Sequence, residues 1–225
     1  MQLNWNDIEQ VVESGVNALL YGPPGTGKTR CATNGDSYSI TLTMETPAAE
    51  LRGHFVPEGT KFVWFDGPAI RAWREGKRIV LNEIDQASGD AMTFLHALLD
   101  DPAVARLTLP NGETVTPKKG FQAVATTNAM DLPMVLPEAL LDRFAVRIKV
   151  MEPHPQALAE LGNRVLAELV TRTIGKAPEA RVSLRQAIAF QRLAKEVGAE
   201  TAASAILGSV LKDATMLAAV VGAGK

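Results

Sequence analysis

The fold is decided by the stretch Gly22-Pro23-Pro24-Gly25-Thr26-Gly27-Lys28-Thr29, which satisfies the pattern G-x-x-x-x-G-K-[ST] in full. The apolar run Ala18–Tyr21 leads into it as a strand, and a helix is predicted to begin at Lys28. Glycine lets backbone N–H groups curl around an anion where a side chain would collide. The stretch therefore predicts a loop that binds the phosphates of a nucleotide. Lys28 would lie between the β- and γ-phosphates, and the Thr29 hydroxyl would ligate Mg²⁺.

The residues on either side of this loop follow an alternating pattern. From about residue 17 to residue 151, short β-branched runs alternate with helical segments, which is typical of a parallel sheet with crossover helices. Asn111-Gly112 lies between apolar residues and predicts a hairpin turn. The predicted strands are Ala18–Tyr21, Ser37–Thr43, Arg78–Asn82, Phe121–Thr126 and Ala145–Val150.

The chain changes character after Glu152-Pro153-His154-Pro155, because two prolines interrupt both helix and strand ladder. Beyond this point three helices are predicted: Gln156–Arg172, Leu184–Glu196 and Ala199–Val221. We therefore expect an α/β nucleotide-binding domain over residues 1–152 and a small all-helical domain over residues 153–225.

Composition excludes several function classes. The chain has 225 residues, of which 46% are hydrophobic and 21% charged, with 23 basic against 25 acidic residues. A net charge of -2 provides no global basic field, so nucleic acid is not an expected partner. A single cysteine fits a reducing compartment, and the longest apolar runs are too short to span a membrane. A cytoplasmic protein is the expectation.

Polar residues end the apolar strand Arg78–Asn82. Phosphate-loop NTPases place an Asp at this position to hold Mg²⁺, and many add a Glu that activates the attacking water. This chain has Asn82 followed by Glu83. An amide can accept a hydrogen bond from a metal-bound water but carries no charge, so we expect Asn82 to weaken Mg²⁺ binding and slow hydrolysis. Whether the carboxylate of Asp85 compensates is left open.

Taken in order, these motifs resemble those of the AAA+ ATPases, and more narrowly of the MoxR-like, dynein-related branch that includes the CbbQ, NirQ and NorQ activators. The family usually has Asp-Glu where this chain has Asn82-Glu83. Besides the phosphate loop, the resemblance rests on Trp64-Phe65-Asp66-Gly67-Pro68-Ala69, Asn82-Glu83-Ile84-Asp85, Leu109-Pro110-Asn111-Gly112-Glu113, Ala125-Thr126-Thr127-Asn128, Leu136-Pro137-Glu138-Ala139-Leu140-Leu141-Asp142-Arg143-Phe144 and Val182-Ser183-Leu184-Arg185.

The resemblance implies roles for three further residues. Asn128 follows the strand Phe121–Thr126, which we expect to lie beside the strand Arg78–Asn82 in the sheet. It would be sensor 1, whose amide positions the lytic water beside Glu83. Arg143 would reach the γ-phosphate bound by a neighbouring subunit, and Arg185 would be sensor 2, which brings the helical lid onto the phosphates. The alternatives to these functional roles are structural: Asn128 would close its own turn, and the two arginines would lie on the surface and pair with nearby carboxylates. Arg181 competes with Arg185 for its role.

The resemblance also implies partners. The expected assembly is a homo-oligomeric ring, with a hexamer as the expected number, in which ATP lies between the two domains and the cycle remodels or activates a client protein. Family members often pair with a partner that carries a von Willebrand A domain. Thr46–Phe55 falls at the family's helix-2 insert and Asn111-Gly112 at its pre-sensor-1 hairpin, and both would face the pore or a client. The alternatives are a nucleotide-sensing assembly subunit with little hydrolysis and a DNA-handling NTPase.

Two predictions concern packing. Cys31, three residues after Lys28, is grouped with the nucleotide-binding residues as a small buried apolar side chain on the helix behind the phosphates. Four aromatic residues are expected to pack in the core beside the sheet: Phe62, Trp64, Phe65 and Trp73.

Overall fold

The computed structural model describes residues 3–208, which fold into two compact units. Of the described residues, the first unit contains 3–21 together with Lys28–Lys149. The second contains the short segment Gly22–Gly27 together with residues 150–208.

Within the described residues, the strands form one main sheet and two separate antiparallel pairs. In chain order they are β1 (Ala18–Tyr21), β2 (Ser37–Thr41), β3 (Gly53–Glu58), β4 (Lys61–Asp66), β5 (Arg78–Asn82), β6 (Leu107–Thr108), β7 (Thr114–Val115), β8 (Gln122–Thr127) and β9 (Val146–Lys149).

The main sheet has the order β2-β5-β8-β1-β9, and every neighbouring pair in it is parallel. Its central strands β1 and β8 have almost no solvent exposure, as expected for a parallel sheet covered on both faces. Because β5 and β8 are neighbours, Asn82 and the end of β8 lie at the same edge of the sheet. The predicted adjacency of these two strands is confirmed.

The helices of the first unit connect and cover these strands. They are α1 (Trp5–Glu13), α2 (Lys28–Ala32), α3 (Ala48–Arg52), α4 (Pro68–Glu75), α5 (Gly89–Leu98) and α6 (Glu138–Leu141). A single apolar cluster fills the space between sheet and helices, and its largest fully buried side chain is Trp73.

The predicted core position of Trp73 is confirmed, whereas Phe62 and Phe65 are not in the core. They lie on the separate β3–β4 ribbon with 73% and 53% of their surfaces exposed, and Trp64 is half-buried. A two-stranded ribbon outside the main sheet has two faces and no second layer to cover both of them. The predicted insert around Thr46–Phe55 is thus the short helix α3 followed by the first strand of this ribbon.

Asn111-Gly112 forms the predicted hairpin turn between β6 and β7. Gly112 has φ +86° and its N–H donates to the Leu109 carbonyl at 2.8 Å. Arg74 of α4 joins this hairpin to the end of β4, because its guanidinium contacts Asp66 at 2.7 Å and both carboxylate oxygens of Glu113 at 2.6 Å.

The second unit is helical and has its own apolar core. The single predicted helix Gln156–Arg172 is two helices, because Gly162 adopts φ +60° and the Asn163 side chain accepts from the Leu166 N–H to cap a new start. The prediction for Ala199–Val221 extends beyond residue 208, outside the described residues. The helices are α7 (Pro155–Glu160), α8 (Arg164–Thr173), α9 (Leu184–Val197) and α10 (Ala199–Leu207).

Across residues 3–208, no helix combines the length and the apolar character needed to cross a bilayer.

Candidate functional site

The phosphate-binding loop has the backbone that its glycines allow. Gly22, Gly25 and Gly27 have φ values of +134°, +80° and +105°, which side chains rarely adopt. A Cβ on Gly22 would lie 2.4 Å from the Val150 carbonyl oxygen, and one on Gly25 would lie 2.8 Å from Cβ of Ser183. A side chain at either position would therefore be strained by its φ and would also collide with neighbouring atoms unless they shift. The curled backbone, which carries no side chain at its three glycines, fits a cradle for phosphate oxygens.

A hydrogen bond within the second unit supports the loop. The Thr26 carbonyl accepts from the His154 N–H at 2.8 Å, and the Thr26 hydroxyl donates to the Pro23 carbonyl at 3.3 Å. Pro24 is half-buried beside them. The chain passes directly from Gly27 into α2, which begins at Lys28 as predicted.

Three of the predicted site residues are linked by hydrogen bonds between their side chains, and this chain of hydrogen bonds lies within the first unit. The Lys28 ammonium donates to Oδ1 of Asn128 at 3.2 Å. The Nδ2 of Asn128 donates to both carboxylate oxygens of Glu83, at 2.7 and 3.0 Å. A cation, an amide and a carboxylate are thus brought together where β5 and β8 end.

Glu83 occupies an unusual backbone conformation. Its φ of 55° and ψ of 47° are left-handed, and it is the one residue other than glycine with positive φ among the described residues. The strand ends at Asn82, and a short 3-10 turn over Ile84–Gln86 begins directly after Glu83. Within that turn, Oδ1 of Asp85 is buried without a hydrogen-bond partner, while its Oδ2 accepts from Gln86.

Asn82 is buried between two neighbouring strands, with 6% of its surface exposed. Its Nδ2 donates to Ser39 Oγ at 3.0 Å, and its Oδ1 accepts from the Thr126 hydroxyl at 3.1 Å. Ser39 and Thr126 were not predicted as site residues, because a strand serine or threonine carries no motif that marks a tertiary contact.

The other two predicted site residues on α2, Thr29 and Cys31, differ in exposure. Thr29 is exposed, so its hydroxyl is accessible to a ligand. Cys31 is buried, as predicted, and burial, helped by the nearby Glu9 carboxylate, raises the pKa of its thiol to about 11. The thiol is therefore neutral near pH 7 and contributes packing.

Arg143 is not part of the Lys28–Asn128–Glu83 chain. Its guanidinium donates to the His96 carbonyl at 2.9 Å and to the Ala139 carbonyl at 2.6 Å, and it lies 3.7 Å from Asp100. The carboxylate it approaches is Asp100, and not Asp142 or Glu138, which are nearer to it in sequence.

Arg185 lies in the second unit, exposed in the first turn of α9. That helix is capped by Ser183, whose hydroxyl accepts from the Gln186 N–H.

The parallel sheet and the curled glycine loop that follows β1 define an α/β nucleotide-binding protein of the phosphate-loop class. Residues 17–144 match the family model of the AAA domain, dynein-related subfamily. The match covers more than half of the chain, and the chain belongs to this family of AAA+ ATPases. The resemblance predicted from the motifs is confirmed.

Curated relatives support the same placement. NorQ of Paracoccus denitrificans is 30% identical over 176 residues, covering 75% of this chain and 64% of that protein. An uncharacterized protein of Staphylococcus saprophyticus is 32% identical over 157 residues, covering 63% of this chain and 58% of its own length. The chain thus spans 58–64% of the length of these two relatives.

Solved structures share the fold. NtrX of Brucella abortus in complex with ADP matches with a TM-score of 0.58 and 18% identity, over 90% of this chain and 53% of that chain. A Cytophaga hutchinsonii protein described as an ATPase matches with a TM-score of 0.52 and 20% identity, over 69% of this chain and 48% of that chain. At these identities the likeness shows the fold alone.

Proposed function

We propose that this chain binds ATP with Mg²⁺, hydrolyses it, and works as a homo-oligomeric ring that remodels or activates a client protein. Membership of the AAA family supports nucleotide binding and ATPase chemistry in general. The ring, the client and the individual roles of the site residues are our proposal.

The observation that carries the proposal is the chain formed by Lys28, Asn128 and Glu83. The three side chains supply a cation for phosphate oxygens, an amide that can orient water, and a carboxylate that can take a proton from it. Such a set, at the carboxyl edge of a parallel sheet and after a glycine loop, suits attack of water on a phosphoryl group.

The binding roles follow from the types of group present. The backbone N–H groups of Gly22–Gly27 and the Lys28 ammonium would hold the phosphates, and the exposed Thr29 hydroxyl would contribute to Mg²⁺ binding. When bound, Mg²⁺ neutralises charge on the phosphate oxygens. Glu83 would act as the general base, and Asn128 would hold Glu83 in position.

Arg143 and Arg185 complete the proposed machinery. An arginine supplied by a neighbouring subunit stabilises charge on the transferring phosphoryl group and can be worth about 10³–10⁵ in rate. We assign that role to Arg143, which requires a ring, and we propose six subunits. Arg185 is the proposed sensor 2 of the helical unit.

The client surface is proposed from the family resemblance. The β3–β4 ribbon and the β6–β7 hairpin are the elements we assign to the pore or the client. A partner with a von Willebrand A domain is proposed on the same ground.

The test is ATP turnover measured against protein concentration. Turnover per subunit should rise with concentration in the wild type and fall strongly in Lys28→Ala, Glu83→Gln and Arg143→Ala. Arg106→Ala, which removes an exposed arginine elsewhere in the first unit, is the matched control. Undiminished turnover in Lys28→Ala and Glu83→Gln would remove the enzymatic part of the proposal.

A second candidate function is a nucleotide-sensing assembly subunit with little hydrolysis. The neutral Asn82 favours it, since no carboxylate occupies the position at which the family usually has Asp. Sedimentation would then show assembly that depends on ATP while turnover of the wild type stays at background.

A further inference from the structure

The side-chain amide of Asn82 makes hydrogen bonds through both its nitrogen and its oxygen. Its Nδ2 donates to Ser39 Oγ at 3.0 Å and lies 3.5 Å from the Ile40 carbonyl oxygen. Ser39 and Ile40 both belong to β2. Its Oδ1 accepts from the Thr126 hydroxyl on β8 at 3.1 Å. One side chain on β5 thus joins the strands on both sides of it, in a position that is 6% exposed.

This bridge continues the ladder between β5 and β8 past its last backbone pair. The backbone register of the two strands ends at Leu81 and Ala125. The next contacts are between side chains: Asn82 with Thr126, and then Glu83 with Asn128. The Asn82 bridge therefore holds the strand end immediately before Glu83 turns into its left-handed conformation.

The surroundings of this side chain suit an amide and disfavour a carboxylate. Only an amide can donate toward the Ile40 carbonyl oxygen, whereas a carboxylate would place two electronegative oxygens near each other. A carboxylate would also be desolvated at this buried position, and the residues that hydrogen-bond Asn82 (Ser39, Ile40 and Thr126) include no cation. The residue that departs from the family pattern is thus the residue this site accommodates.

We propose that Asn82 is a positioning residue: a neutral bridge between β2, β5 and β8 that keeps Glu83 aligned with Asn128, and not a ligand of Mg²⁺. The proposal rests on the proposed ATPase function for its catalytic consequence. It opposes the simpler prediction from the sequence, in which Asn82 is a weakened metal ligand whose charge is missing.

The deciding variant is Asn82→Asp, because the two interpretations predict opposite results for it. As a bridge, Asn82→Asp should lower kcat by about tenfold or more with little change in KM for ATP. Binding of Mn²⁺, used as the probe in place of Mg²⁺ and measured by electron paramagnetic resonance with ADP present, should not tighten. Tighter Mn²⁺ binding by about tenfold together with faster turnover would overturn the proposal.

Thr126 gives a test that leaves position 82 untouched. Thr126→Val keeps the side-chain shape and removes the donor to Asn82, so it should lower kcat as Asn82→Asp does. Thr126→Ser keeps a hydroxyl donor and should have a kcat close to that of the wild type. Thr171→Val, at an exposed threonine of α8, is the matched control. If Asn82→Asp does not fold, the Thr126 variants decide, and unchanged kcat in Thr126→Val overturns the proposal.

Two measurements distinguish a failure of the proposed ATPase function from a failure of the proposed Asn82 bridge: ATP turnover of the wild type and the melting temperatures of the variants. A wild-type chain without ATP turnover would remove the function. The bridge would then be supported by lowered melting temperatures in Asn82→Asp and Thr126→Val, and overturned by unchanged melting temperatures in both.

Discussion

Arg143 donates through Nε to the backbone carbonyl of His96 at 2.9 Å. That carbonyl lies in the last turn of α5, directly after Leu95, whose own carbonyl accepts from the Leu99 N–H. The guanidinium therefore caps the carboxyl end of α5, where a cation is favoured by the helix dipole. A residue proposed to act on a neighbour's nucleotide thus also has a structural contact within its own subunit.

A mixing experiment separates these two roles of Arg143. Under the proposed roles, Lys28→Ala subunits would lack phosphate binding but keep Arg143, whereas Arg143→Ala subunits would keep the binding loop. Mixed rings would contain composite sites with both groups, so we expect ATP turnover well above that of either variant alone. If the mixture is no more active than its parts, Arg143 serves as a cap only.

We expect Glu83→Gln to lower kcat by about 10²–10⁴ because a carboxamide cannot take a proton from water. ATP binding, followed with a fluorescent analogue, should stay within about threefold of wild type, since the amide can still accept from Asn128. Glu196→Gln, at an exposed position on α9, is the control. A Glu83→Gln variant that turns over ATP normally would exclude Glu83 as the base.

Gly25→Ala tests the loop. Its φ of +80° and the 2.8 Å approach to Ser183 predict a loss of about 1–3 kcal/mol in unfolding free energy, and ATP binding weaker by about tenfold or more. Gly89→Ala is the matched control, because a Cβ there meets no atom within 4 Å and φ is not positive. Denaturant unfolding and nucleotide titration measure both effects. Equal behaviour of the two variants would contradict the steric argument.

The Cys31 thiol predicts a pH dependence of stability. Its folded pKa, about 11, lies above the unfolded value of 9.0, so the folded state favours the protonated thiol. The contribution is fully present below pH 9 and is lost as the pH rises toward 11, with a size of about 2–3 kcal/mol. Urea unfolding of wild type and Cys31→Ala at about pH 8 and about pH 10.5 measures it. The wild type should lose more stability than the variant over this interval, and parallel losses would contradict the assignment.

The phosphate loop and the parallel class of the sheet could be predicted from sequence because both depend on local patterns, whereas the full order of the strands was not predicted. Glycines at fixed spacing require positive φ, and apolar runs of strand length require a buried parallel sheet. Glu83 and Asn128 were predicted for the same reason, since each directly follows such a run.

Contacts between distant segments could not be predicted in this way. Nothing local to Asn82 shows that Ser39 and Thr126 lie on its two sides, or that Arg143 meets the carbonyl of His96. The aromatic residues of β4 were placed in the core because their residue types favour burial. The β3–β4 ribbon stands outside the main sheet, a tertiary fact that overrides this tendency.

At position 83 the left-handed backbone conformation favours glycine, whereas the proposed catalytic role requires a carboxylate side chain. A glycine there would adopt φ 55° without strain, so Glu83→Gly should relieve about 1 kcal/mol of conformational penalty, offset in part by the greater freedom of glycine in the unfolded chain. The proposed base thus sits where the backbone would prefer the one residue that has no side chain. Evolution toward heat resistance and evolution toward fast turnover would favour different residues at this position.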